Sequence, residues 1–394
     1  MLRILLVTND FLPMVGGVAI HIDALATSLS RLGCEVTVLH VCYDTIQNNF
    51  ENSDEYDVIR LVAGVDLANK TGIYPKLMRY IKSLTIVRTK IRNLIRTFRP
   101  DIIHWHDYYH SSLSTKFLGK NNCVLVLTNH ASQFLEQYDK GVFMHLYLRF
   151  LASHANGVIA PSQELAAKSR LIRKPTQFIP NGVNESLFCP TKKYRKEVLR
   201  QFNIKPHFKV LLAPRRLDPK NGLDVLIRSI PLVIGKNPDV VFIIAGGGRC
   251  SLEDEYRTLA ETLGVAKHLI ITGVVSHKKM QQLIPSADLI LIPSFYEAVS
   301  LAALEALSCG VPVIASNVGG LPFIVNEHNG ALFEPGNQDD LSKTINEHLD
   351  DWPATLKKGK IARKTIKNQH TWNTVAAKTI EFYNYLGLPL HKSS

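Results

Sequence analysis

The chain alternates short apolar runs with amphipathic helical patterns, and it does so twice. In the first series Ile4 to Val7 reads as a strand, and Val18, Ile22, Leu25, Leu29 and Leu32 form a helical stripe closed by Gly33. Val36 to Val41, Ile102-Ile103, Val124 to Leu127, Val158 to Ala160 and Phe178 to Pro180 supply further strands. A second series restarts at Val210 to Ala213 and continues through Val240 to Ala245, Leu269 to Thr272, Leu289 to Ile292 and Val311 to Ala315. Strands separated by helical segments pair in parallel and bury both faces, so each series predicts an open α/β sheet with helices on either side. A length of 394 residues suits two such domains. Asn184 to Lys209, with Pro190 and Pro206 among charged residues, reads as a linker and a short helix. The expected division is 1–190, 191–370, and a final helix over 371–394 that begins at the N-cap Thr371.

Composition narrows the class. With 46% hydrophobic and 20% charged residues the chain has the make-up of a soluble globular protein. MLRILLVTND is too short an apolar run for a signal peptide, and no window reaches a membrane span, so a cytosolic protein is expected. Six scattered cysteines form neither a zinc motif nor a disulfide framework. The net charge is +12, and residues 76–99 carry eight basic residues and no acidic one, interleaved with Leu77, Ile81, Leu84, Ile91, Leu94 and Ile95. That stretch reads either as a surface helix with its stripe on the core or as a peripheral dock for an anionic membrane. Its only aromatics are Tyr80 and Phe98, which argues against a single-strand surface, and no nucleic-acid partner is expected.

The chemistry concentrates between Ser294 and Gly320. Glu297 precedes a helix and Glu305 lies inside it, about 12 Å along the axis and about 80° around it, so both can border one elongated ligand. The amides of Val299, Ser300 and Leu301 at the helix start suit a phosphate. Gly16-Gly17 after the first strand permits close approach of a phosphate or sugar. His104, His106, Asp107 and His130 follow strands, where open α/β sheets bind ligands. No spacing among these histidines marks a metal set, and they can equally be structural. Arg215, Arg216 and Lys220 follow another strand and can neutralise a diphosphate. Gly246 to Gly248 lack the Gly-x-Gly-x-x-Gly spacing, so no nicotinamide cofactor is expected. No Asp-x-Asp triplet is present, and no metal is expected.

A Glu, seven residues, a Glu, then Gly310-Val311-Pro312-Val313 resembles the signature of retaining glycosyltransferases of family 4, and the resemblance runs from the Gly-Gly loop to the final helix. It implies the GT-B fold, with two facing Rossmann-like domains, an active site in the cleft between them and a last helix crossing back to the first domain. It also implies transfer of a sugar from a nucleotide diphosphate donor to a hydroxyl of a glycolipid, polysaccharide precursor or small molecule, the first domain lying on the acceptor side. By the same resemblance Arg216 and Lys220 stabilise the diphosphate, Glu297 holds sugar hydroxyls, Glu305 accepts from the ribose, and His130 lies beside the donor sugar. Gly16, Gly17, Gly246, Val299, Ser300 and Leu301 complete the donor contacts. Glu-Ala-Val-Ser replaces the commoner Glu-Gly-Phe-Gly, and Asn221 rather than lysine precedes Gly222. A nucleotide-sugar epimerase of the same fold and a binding protein without turnover are the alternatives.

Overall fold

The computed structural model describes residues 1–13, 16–42, 53–63, 73–106, 113–116, 123–130 and 141–387, apart from the side chains of 73–80, 113 and 116. The chain forms two compact units, Met1–Asn181 with Trp372–Ser394, and Gly182–Thr371. The division falls at Asn181 rather than near 190. Val183 pairs with Thr371, and Phe188 is buried in the second unit's core, so the start of the presumed linker already belongs to that unit.

The first unit is a seven-stranded parallel sheet of β1 (Arg3–Thr8), β2 (Glu35–Cys42), β3 (Asp57–Val62), β4 (Ile102–His106), β5 (Val124–Thr128), β6 (Gly157–Ala160) and β7 (Thr176–Phe178), in the order β3-β2-β1-β4-β5-β6-β7. β1 lies inside the sheet, paired on both sides, and Ile4 to Val7 are fully buried, which is why it reads as an unbroken apolar run. Helix Gly17–Arg31 buries Ala19, Ile22, Leu25, Ala26 and Leu29 at helical spacing. Gly33, at φ 86°, ends it with the Cys34 amide donating to the Leu29 carbonyl, a left-handed cap that glycine adopts without strain. Helix Trp372–Tyr385 packs on Gly17–Arg31 and buries Tyr383 and Trp372.

The basic helix spans Ile73–Thr97. Over its described side chains Val87, Ile91 and Leu94 are buried, so this part of the apolar stripe faces the core. Ile81 is exposed, and Leu84 and Ile95 are half-buried, so the rest of the stripe lies nearer the surface. No helix among the described residues is long and apolar enough to cross a membrane.

The second unit carries β8 (Lys209–Ala213), β9 (Val240–Ile244), β10 (Leu269–Ile271), β11 (Leu289–Ile292), β12 (Val313–Ser316) and β13 (Gly330–Phe333), in the order β10-β9-β8-β11-β12-β13, all parallel. Two strands, β3 and β13, are absent from the sequence reading. β3 is a half-exposed edge strand interrupted by Arg60, and β13 is four residues long and starts with a glycine. In both sheets the strand order reverses once, between β1 and β4 and between β8 and β11. Crevices at such reversals, beyond the strand C-termini, are where open α/β sheets hold ligands.

Candidate functional site

In the first unit the reversal is lined by histidines. His104 and His106 lie on β4, His130 follows β5, and His21 comes from helix Gly17–Arg31. His104 is saturated, with Nδ1 hydrogen-bonded to the Tyr383 hydroxyl and Nε2 to Thr128 Oγ1, both at 2.6 Å. It is a core residue that ties the final helix to the sheet. His106 Nδ1 lies 3.1 Å from His130 Nε2, the rings stacked with an interplanar angle of 16°, while His106 Nε2 is buried without a hydrogen-bond partner. His21 meets His130 edge-on at 4.4 Å and Trp372 at 5.1 Å, with its Nδ1 held by Asn181 Oδ1 at 2.9 Å.

Burial makes these rings neutral. Removal from water disfavours the imidazolium, pulling His21 down to about 4 and His104 to about 3. Burial and then the neighbouring histidines hold His106 and His130 well below the ordinary value. Neutral imidazoles donate and accept hydrogen bonds without adding charge, and they are also the form that ligates metal. One ring nitrogen each of His21, His106 and His130 lies within 4.8 Å of the others, a spacing able to receive a borderline divalent ion. The sequence alone brought no metal set together because these residues come from three separate elements. Asp107 lies outside the described residues.

Gly16 caps helix Gly17–Arg31 at φ −159°, a conformation open to any residue, and a Cβ there would meet nothing within 4 Å. The fold itself therefore places no demand for glycine at this exposed turn.

In the second unit the reversal holds charges. Arg215, after β8, makes an ion pair with Glu297, after β11, and both side chains are largely buried. Backbone contacts hold these loops together. The Phe295 amide donates to the Lys220 carbonyl at 2.8 Å, and the Gly320 amide to the Glu297 carbonyl at 3.0 Å. Gly222 and Gly319 have positive φ, and a Cβ on either would lie about 2 Å from the carbonyl oxygen of Pro293 or Glu297, so only glycine lets the loops meet. Gly246 is closed in the same way by the Arg215 carbonyl. Arg216 and Lys220 are exposed and form no ion pair among the described residues.

Helix Leu301–Ser308 starts at the N-cap Ser300, whose hydroxyl accepts from the Ala303 amide at 3.2 Å. Val299, Ser300 and Leu301 sit at this start, where the first amides of a helix lack intrahelical acceptors. Glu305, one turn in, is hydrogen-bonded through Oε1 to His277 Nε2 at 3.0 Å. Burial pushes the Glu305 carboxyl up, while the bond to Glu305 raises His277. The pair therefore holds a proton more tightly than free histidine does.

Glu297 and the basic loop come together, as do His106 and His130, while Glu305 lies in the following helix bonded to His277. His21, Asn181 and His277 went unread in the sequence, and the pairing of Arg215 with Glu297 was not foreseen. Arg215 and Arg216 are adjacent, and nothing in the residue order says which turns inward. His21 looks like part of an amphipathic helix, Asn181 lies in a loop after β7, and His277 opens a distant helix.

Residues 15–187 match the family described as Glycosyltransferase Family 4, and residues 195–368 match that described as Glycosyl transferases group 1. An uncharacterised glycosyltransferase of Methanocaldococcus jannaschii is 27% identical over 97% of this chain and 98% of its own. Among solved structures, the sucrose-phosphate synthase of Thermosynechococcus elongatus superimposes with a TM-score of 0.80 at 23% identity, covering 98% of this chain and 99% of that one. HepE of Anabaena, solved in complex with UDP-glucose, gives 0.74 at 19% identity, over 98% of this chain and 100% of that one.

Proposed function

Because the chain belongs to the GT-B glycosyltransferases that join a family 4 domain to a group 1 domain, we propose that it transfers a sugar from a nucleotide diphosphate donor to a hydroxyl, with retention and without a metal. The observation that carries this reading is the second unit's strand reversal. There a basic loop, a buried carboxylate and a helix start are fixed to one another by backbone contacts that only glycine permits.

In this reading Arg216 and Lys220, exposed beside that loop, neutralise the diphosphate together with the amides at Val299, Ser300 and Leu301. Arg215 positions Glu297, which accepts hydrogen bonds from sugar hydroxyls. Glu305 accepts from the ribose, and its bond to His277 holds the carboxylate in place beforehand. The bond from the anomeric carbon to the diphosphate oxygen breaks, and the acceptor oxygen bonds to the same face of that carbon. The acceptor proton goes to the departing diphosphate oxygen, so no dedicated base is needed. A neutral His130 beside the sugar accommodates the developing positive charge without repulsion, and Gly16 and Gly17 leave room for the donor or acceptor. HepE is solved with UDP-glucose, which makes a uridine diphosphate sugar the first donor to try.

The test is product analysis. The protein is incubated in chelator with a panel of nucleotide diphosphate sugars and hydroxyl acceptors, and the anomeric proton of the product is read by NMR. The reading expects a new glycoside of the donor's own configuration. An inverted product, turnover only with added metal, or an epimerised donor formed without acceptor overturns it.

A further inference from the structure

One helix of the first unit turns a run of large apolar residues outward. Helix Val142–Ala152 roots itself through Leu148, Leu151 and Ala152, which are buried. Val142, Phe143, Leu146, Tyr147 and Phe150 are all exposed, Val142 at 71% and Phe143 at 91%. At 100° per residue these five fall within an arc of about 140°, opposite the three buried positions. Large aromatic side chains are ordinarily among the better buried residues. A continuous stripe of them on the solvent side marks an interaction surface rather than scatter.

The charge around the stripe identifies its partner. Arg149 lies on the same helix at the edge of the arc, and the turn Arg170–Ile172 packs against this helix. Arg170 and Arg173 are exposed, and Lys174 is half-buried. Neither residues 141–153 nor 170–178 contain an acidic residue. An apolar ridge with Phe and Tyr at its crest and cations along its margin matches the layered chemistry of an anionic bilayer, acyl chains below and phosphates above. A second copy of the chain fits less well. Five side chains fall far short of the roughly 20 to 30 residues a side of a stable protein interface, and the cations would face their own kind.

We propose that helix Val142–Ala152 seats the first unit on an anionic lipid surface, with Phe143 and Leu146 entering the headgroup layer and Arg149, Arg170, Arg173 and Lys174 meeting lipid phosphates. This differs from docking through the basic helix Ile73–Thr97, where Val87, Ile91 and Leu94 are spent on the core and Ile81 is the one large apolar residue exposed among the described side chains. Exposed apolar side chains cost nothing to replace in the folded core, so the surface can be altered without unfolding the unit.

The test is co-sedimentation of the full chain with vesicles of phosphatidylcholine alone and of phosphatidylcholine with phosphatidylglycerol. Wild type and the double variant Phe143→Ser, Leu146→Ser are compared, with analytical ultracentrifugation of both in the absence of lipid. Wild type is expected to bind the mixed vesicles about tenfold better than the neutral ones, with binding weakened by salt, and the double variant to lose about tenfold. A Phe143→Trp variant should show a blue-shifted emission on adding mixed vesicles only. Absence of binding to mixed vesicles, equal binding by the serine variant, or a concentration-dependent dimer that the serine variant abolishes would each overturn the proposal. Nucleotide binding by the serine variant is read separately, so a failure here leaves the transferase reading to stand or fall on its own data.

Discussion

The two units share one topology and fill its ligand-binding edge with opposite chemistry. Beyond β1 and β4 the first unit gathers uncharged imidazoles, His21, His106 and His130, that burial keeps from protonating. Beyond β8 and β11 the second gathers paired charge, Arg215 with Glu297 and His277 with Glu305. A diphosphate and a sugar make these two demands on a protein. The leaving group needs cations and fixed dipoles, whereas the anomeric centre, which gains positive charge, is better served by neutral neighbours. The contrast also separates the units by pH, since one set resists taking up protons and the other holds them.

The largest effect is expected in acid. His21 and His104 have folded values of about 4 and about 3 against roughly 6.5 unfolded, so their contribution is complete above the unfolded value and disappears as pH falls towards the folded ones. Between neutrality and pH 5 each should cost the first unit about 2 kcal/mol. Hydrogen exchange resolved by unit should therefore show residues 1–181 opening well before 182–371. Simultaneous opening would erase the comparison.

Next comes the buried ion pair. Arg215→Met strands a largely buried Glu297 carboxylate and should cost the second unit about 2 kcal/mol in urea denaturation, with turnover falling about 10²-fold. A double-mutant cycle with Glu297→Gln should recover part of the stability and none of the turnover. Strict additivity in stability would show that the pair carries no coupling.

A metal assay sharpens the division further. Chelator should leave turnover unchanged, while added zinc should lower it about tenfold by taking His130 into a three-histidine site, and His21→Ala should relieve that inhibition. Inhibition that survives in His21→Ala would move the zinc elsewhere.

The smallest effect is alkaline. His277 and Glu305 both have raised values, so each favours proton uptake on folding, and the second unit should lose stability as pH climbs from about 6 past the folded value of His277. His277→Ala should flatten that slope in a melting series. An unchanged slope would remove the pair as its source.

How much of this was legible in the sequence follows from where the information resides. Strands buried on both faces, such as β1 and β9, announce themselves as apolar runs, whereas β3 is half-exposed at the sheet edge and β13 is a four-residue strand opened by Gly330. Glu297 and Glu305 were readable because one helix start fixes their spacing. Their partners Arg215 and His277 come from other elements, and only folding chooses them. His130 was reached through its place after a strand. His21, a helix residue thirteen positions beyond the end of β1, looks like part of an amphipathic stripe until the sheet order sets it against β4. The exposed ridge of Val142–Ala152 was hidden for the opposite reason, because an apolar helix reads as core until the fold shows which of its faces is turned to solvent.

Calorimetric titration of nucleoside diphosphates and their sugars, in chelator, into wild type and Glu305→Ala tests the division of labour most directly. The account predicts one nucleotide series that saturates the wild type without metal and binds the variant about tenfold more weakly, the loss being the same for the diphosphate and its sugar if Glu305, as proposed, meets only the ribose. Binding that needs a divalent metal, or that Glu305→Ala leaves untouched, would contradict it.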